Sequence, residues 1–187
     1  MTDEMEMTAA YHCAPALAGI KPSNLVSFCM ERHPDLEKRL AEWNEGLAPS
    51  GICFEKLCRC KKRMLVLVYR KKKMEELLRD PKLSVELGKA GYPAGQDCEA
   101  VISHLKRRMK GREDFPHEIG IFLGYPLEDV YGFVQNQGKG YKLNGYWKVY
   151  SNEDRAKELF RRYTRCREAV CARMGMGMSI MRLFAVA

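Results

Sequence analysis

The sequence predicts an α/β fold, with α+β as the alternative arrangement, in which a small central sheet of about four strands is covered by about six helices. Three observations lead to this expectation. Two short apolar runs, Ile52–Leu57 and Met64–Tyr69, are joined by the polar stretch Cys58-Arg59-Cys60-Lys61-Lys62-Arg63, and read as a hairpin whose continuously apolar second strand is central. A third run, Ile119–Leu123, has strand length and is bracketed by turn residues. Helix-periodic segments fill most of the remainder, and Tyr146–Tyr150 reads as a fourth strand.

In chain order, residues 1–10 are acidic and expected to be frayed, and residues 11–187 are expected to form one compact α/β domain. Pro15 and Pro22 frame a short segment, after which Ser23 or Asn24 would cap a helical turn carrying Leu25, Phe28 and Cys29. Leu36, Leu40, Trp43 and Leu47 share one face of a helix that starts near Pro34 and stops before Pro49-Ser50-Gly51. After the hairpin, Met74, Leu77 and Leu78 mark a helix ending before Asp80-Pro81. Leu83, Leu87 and Ala90 mark another, and Cys98, Val101, Ile102, Leu105 and Met109 a third, closed by Gly111.

Pro116 biases Phe115 toward extended backbone, so His117 and Glu118 stand at the mouth of the Ile119–Leu123 strand. Gly120 within that run suggests a bulge or a close backbone approach. Gly124-Tyr125-Pro126 then turns into a helix with Pro126 in its first position, Glu128 and Asp129 at its positive end, and Leu127, Val130, Tyr131 and Val134 on one face. The last helix opens on Ser151 and Asp154 and carries the apolar stripe Ala156, Leu159, Phe160, Tyr163, Cys166, Val170 and Met174 opposite a row of arginines.

Composition narrows the class. With 46% hydrophobic and 30% charged residues, the 187-residue chain is ordinary globular material, long enough to bury a core. Its longest apolar run, Met64–Tyr69, is far shorter than the roughly 20 residues of a membrane helix. Met1–Met7 lacks the features of a signal peptide, so a cytoplasmic protein is expected, and the eight cysteines are read as thiols rather than disulfides.

Residues 117–136, with the string His117-Glu118-Ile119-Gly120 and Phe122-Leu123-Gly124-Tyr125-Pro126, are specific in pattern. Together with His12-Cys13-Ala14-Pro15 and Gly145-Tyr146-Trp147-Lys148-Val149-Tyr150, they resemble the shared blocks of a family of small bacterial proteins catalogued as a domain of unknown function. The resemblance runs nearly end to end. It implies one compact domain and a bacterial origin, and it implies no activity, cofactor or catalytic residue.

Two kinds of function fit the residues. In the enzyme reading, a hydrolase or acyl-transfer centre, Cys13 at a helix start attacks an acyl carbon, His117 moves the proton and Asn144 orients the imidazole, with Asn136 or Asp129 as alternatives for that third role. In the binding reading, His117, Glu118 and Tyr125 hold a small molecule or an acidic partner without catalysis. No cofactor is specified. Cys53, Cys58 and Cys60, with Cys98, His104 or His117, are the thiols and imidazoles available to a metal, but their spacing is not that of paired Cys-x2-Cys knuckles and no metal set is assigned.

The net charge of +8 concentrates at Lys56–Lys73 and at Lys106–Arg112. With Tyr69, Tyr141, Tyr146 and Trp147 this composition admits nucleic-acid binding, although no recognised motif accompanies it. Gly138-Lys139-Gly140 lacks the P-loop pattern, and the Met174–Met178 alternation of methionine and glycine reads as a flexible turn.

Overall fold

A computed structural model describes residues 3–60, 62–93, 97–110 and 115–186, and of Cys60 the backbone alone. Its sheet has three antiparallel strands in the order β1-β3-β2, with β1 at Ser23–Cys29, β2 at Ile52–Cys60 and β3 at Arg63–Arg70. The hairpin expected from the two apolar runs is present, with Phe54 opposite Val68 and a register shift between Lys56 and Cys58. The continuously apolar strand is central because both its faces are covered.

One face carries Val26, Phe28, Ile52, Phe54, Met64, Val66 and Val68. These pack against α1 (Glu4–Leu17), α2 (Leu36–Leu47), the C-terminal part of α8 (Glu153–Gly175) and α9 (Ile180–Phe184). The other face carries Leu57, Leu67 and Tyr69 beneath α3 (Lys71–Leu78), α4 (Pro81–Lys89), α5 (Cys98–Met109) and α6 (Ile119–Phe122). A third cluster joins α8 to a two-stranded hairpin, β4 (Leu143–Asn144) with β5 (Lys148–Val149), which follows α7 (Leu127–Gln135). The architecture is mixed α/β with one three-stranded and one two-stranded sheet, rather than a single sheet of four strands.

Several elements match their sequence patterns closely. The buried residues of α2 are Leu36, Leu40, Trp43 and Leu47, and Asp80 caps α4 with Pro81 as its first residue. Several expectations are corrected. Of the segment 1–10, residues 4–10 are helical rather than frayed: α1 begins at Glu4, Asp3 accepts a hydrogen bond from Met5 N, and Met5, Ala9 and Ala10 are buried, while Met1 and Thr2 lie outside the described residues. Residues 23–29 form a strand, because Val26 and Phe28 alternate inward onto α1 while Leu25 serves the opposite face.

Ile119–Leu123 is helical, not a strand. Ile119, Ile121, Phe122 and Leu123 are all buried, so the run lacks the alternation that separates strand from helix, and length alone misleads. Gly120 does mark a close approach, since a β-carbon there would stand 2.9 Å from Val130 Cγ2, but the approach is helix α6 on helix α7. At the start of α8, Asn152 rather than Ser151 is the cap, its side chain accepting from Arg155 N. Tyr146–Tyr150 contributes only the two strand residues of β5.

Candidate functional site

The link between α1 and β1 places much of the site. Arg70 donates from Nε to the Leu17 carbonyl at 3.0 Å and from Nη1 to Ser50 O at 3.1 Å, capping the C-terminus of α1 from the sheet. Ser23 Oγ, buried at the start of β1, donates to Phe122 O at 2.7 Å and fastens α6 to that strand. Tyr125, in the turn after α6, is thereby set beside β1 and stacks on Trp147 with ring centroids 4.9 Å apart and planes at 26°.

His117 is exposed at the approach to α6, its ring 5.6 Å from that of Phe133. It lines a pocket of about 340 Å³ with Phe115, Tyr125, Val130, Phe133, Trp147 and Lys148. Phe115, Tyr125, Phe133 and Trp147 give the pocket four aromatic rings besides the imidazole. Lys148 supplies the positive charge, with Nζ donating to Gly138 O at 2.8 Å and lying 5.7 Å from the Phe133 ring and 5.1 Å from that of Tyr141. Burial, with the neighbouring Tyr163, pushes the Tyr125 phenol up to about 12, so it is a neutral donor, and it donates to Tyr146 O at 3.2 Å.

Asp129 forms the floor. It is 2% exposed, accepts from Trp147 Nε1 at 2.7 Å, and accepts from the backbone N–H groups of Tyr150 and Ser151 at 2.8 Å each. Burial raises its carboxyl pKa, yet these bonds outweigh burial and hold it below the ordinary aspartate value. Its role is to fix Trp147 and the β5 strand against α7, so it does not orient His117 as an acid of a triad.

The structure thus brings His117 and Tyr125 together and leaves the other three candidates elsewhere. Cys13 is fully buried in the core between α1 and the sheet, in the last turns of α1 rather than at its start. Burial pushes its thiol far up, only partly opposed by the Lys21 ammonium, and the negative end of the helix dipole disfavours a thiolate there. Glu118 pairs with Arg108 Nε and accepts from Tyr92 OH at 3.2 Å, which turns it toward α5 and away from His117. Asn144 is exposed on β4 and lines no part of the His117 pocket, and Asn136 is exposed with its Nδ2 donating to Gly132 O at 2.8 Å.

The metal alternative gains no geometry: among the described residues no group of three or more His, Cys, Asp or Glu side chains is placed to hold an ion, and the Cys60 side chain lies outside them. Part of the basic clusters is paired, Lys62 with Glu31, Lys71 with Glu99, Lys106 with Glu55 and Arg108 with Glu118. Tyr69 is 5% exposed and offers no face to a base. Among the described residues no helix is long and apolar enough to cross a membrane. A larger cleft of about 460 Å³ between α3, α4 and α5 has charged lining that pairs within itself, Arg79 with Glu75 at 3.6 Å.

Sequence reasoning missed Lys21, which is 2% exposed beside Tyr125. A lysine between a glycine turn and Pro22 reads as solvated, and only the packing of β1 against the α6–α7 turn buries it. The three blocks around His12, Tyr125 and Tyr146 meet at that point, on a second cavity. No curated protein and no solved structure matches the chain. The family model described as "Protein of unknown function (DUF3793)" matches residues 9–184, and the chain belongs to that family.

Proposed function

We propose that this is a small-molecule-binding protein whose pocket at His117 takes a planar aromatic ligand bearing an anionic or hydrogen-bond-accepting group. The observation that carries this reading is the pocket's make-up: Phe115, Tyr125, Phe133 and Trp147 around about 340 Å³, with His117 and Lys148 as the polar groups. Small-molecule sites are concave, mainly apolar and furnished with a few polar groups that fix orientation. The rings supply stacking surface for a flat ligand, and Lys148, with Asp129 the one carboxylate among the described lining residues and fully engaged, favours a negative group.

The binding reading is preferred to a cysteine–histidine enzyme because Cys13 is buried in a different cluster and its thiol is held protonated. Trp147 gives the test. In a Trp43→Phe variant it is the remaining tryptophan, and titration with 2-naphthoate should change its emission saturably with one site per chain. His117→Ala and Phe133→Ala, both at exposed positions, should each weaken the binding about tenfold. The absence of a saturable response, or wild-type affinity in both variants, refutes the proposal.

A further inference from the structure

We propose that Lys21 and Arg167 form an oxyanion-binding site, separate from the His117 pocket, that takes the carboxylate or phosphate group of a small organic acid. The two cations line a cavity of about 340 Å³ together with Tyr11, His12, Asn24 and Tyr146. Six parts of the chain supply it: the second half of α1, the α1–β1 turn, β1, the turn around Tyr125, the turn around Tyr146, and α8. Among the described residues no carboxylate lines it.

Lys21 is the unusual member. The turn that carries it is fixed by two hydrogen bonds to Pro15 O, from Ile20 N at 3.0 Å and Lys21 N at 3.2 Å, and by Gly19 at φ +73°. The side chain is 2% exposed, with Nζ 5.0 Å from the Tyr125 ring centroid and 5.7 Å from that of Tyr163. Two aromatic faces recover part of the hydration that an ammonium loses on burial. They do not replace a counter-ion, because a buried charge without one is a standing cost to the fold.

That cost is visible in the titration of the amine: burial lowers the Lys21 pKa to about 8, opposed by the neighbouring Cys13 thiol and by no carboxylate. An oxyanion in the cavity would supply the missing partner. Arg167 stands ready on the same cavity, its guanidinium 4.7 Å from the Tyr11 ring and 5.8 Å from that of Tyr146, an arrangement that orients the group while leaving its N–H donors to a ligand. His12 is kept neutral near pH 7 by burial and by Arg167, so it adds a donor or acceptor rather than a third charge. Asn24 commits Oδ1 to Ala16 N at 3.1 Å, leaving its amide N–H groups as donors.

At about 340 Å³ the cavity has room for a small organic acid, whose carbon frame can lie on the tyrosine rings.

The test is calorimetric titration of the full chain with inorganic phosphate and, in a parallel arm, with benzoate, at constant ionic strength and pH 7. At least one anion should bind saturably at one site, and the preferred arm identifies the oxyanion. Lys21→Met, which keeps the side-chain length without charge, should weaken that binding about tenfold to a hundredfold, and Arg167→Gln, at a half-exposed position, should weaken it about tenfold. Lys139→Gln, exposed and outside both cavities, serves as the charge control and should leave affinity unchanged. Absence of saturable binding of either anion to the wild type, or wild-type affinity in the Lys21→Met and Arg167→Gln variants, overturns the proposal.

Discussion

Gly124 lies so close to Pro22 that a β-carbon at position 124 would stand 2.6 Å from Pro22 Cγ. Together with the bond from Ser23 Oγ to Phe122 O, this contact closes the α6–α7 turn onto the start of β1. Lys21 and Tyr125, each one residue beyond the contact, are brought face to face as a result, with Nζ 5.0 Å from the ring centroid. The same Tyr125 lines both cavities, so one backbone contact sets the geometry of the two candidate sites.

Gly124→Ala is therefore expected to destabilise the fold by about 2–3 kcal/mol, combining left-handed strain at φ +70° with overpacking against a ring that cannot rotate away. Urea unfolding measures it. Pro22→Ala in the Gly124→Ala background should restore the steric share and leave the backbone share, and a double-mutant cycle separates the two. Strict additivity of the two substitutions would show that the Gly124–Pro22 contact does not govern this turn.

Asp129 offers a second stability prediction. Its carboxylate accepts three hydrogen bonds while 2% exposed, and Asp129→Ala should cost about 3–5 kcal/mol by leaving Trp147 Nε1 and two backbone N–H groups unsatisfied. Because the folded carboxyl is held below the ordinary 3.8, its contribution is fully present above that pH and is lost as pH falls through the lower folded value. Acid unfolding followed by Trp147 emission should thus be steeper for the wild type than for Asp129→Asn below about pH 4. Parallel acid profiles would remove this account of the carboxylate.

α2 and α8 were legible because the period of each marks its buried face, and the hairpin because two strand-length apolar runs flank one polar connection. Leu36, Leu40, Trp43 and Leu47 are one helical face and are all buried, and the central position of β3 follows from an apolar run with no polar face. Ile119–Leu123 was not legible for the same reason that β3 was: a short apolar run buried all round carries no period, and here the chain resolves it as a turn of helix under α5 and α7. His117 and Tyr125 could be singled out because they adjoin that run. Lys21 could not, since its burial depends on Ser23 and Pro22 meeting Phe122 and Gly124 about a hundred residues later. Cys13 was misplaced on its helix because α1 begins ahead of residue 11, which moves the thiol from the positive to the negative end of the dipole.

That placement predicts an inert thiol. Cys13 should react with iodoacetamide at pH 7.5 orders of magnitude more slowly than Cys29, which is half-buried on the edge strand β1, and should be labelled only on unfolding. Cys13→Ala should cost about 1–2 kcal/mol, the loss of a small buried side chain and the space it leaves. Peptide mapping after timed alkylation gives the rates, and fast native-state labelling of Cys13 would return it to consideration as a nucleophile.

The Lys21 amine makes the most specific pH prediction. Its folded pKa of about 8 lies below the ordinary 10.5, so between these values the unfolded chain holds a proton that the folded chain has released. Stability assigned to this group therefore rises with pH across that window, and below about pH 8 the full burden of a buried charge is present, roughly 3 kcal/mol from the difference in pKa. Tyr125 and the Cys13 thiol face the same amine and act in the opposite sense at alkaline pH, since both are raised and the fold loses stability as the unfolded chain ionises them. Comparison with Lys21→Met isolates the lysine: the variant should be more stable than the wild type at pH 7, and the gap should narrow toward pH 10. Phosphate added at pH 7 should narrow the same gap by stabilising only the wild type, because an anion bound beside Lys21 supplies the missing charge and raises its pKa. A gap independent of both pH and phosphate would mean that Lys21 is neither titrating in this window nor part of an anion site.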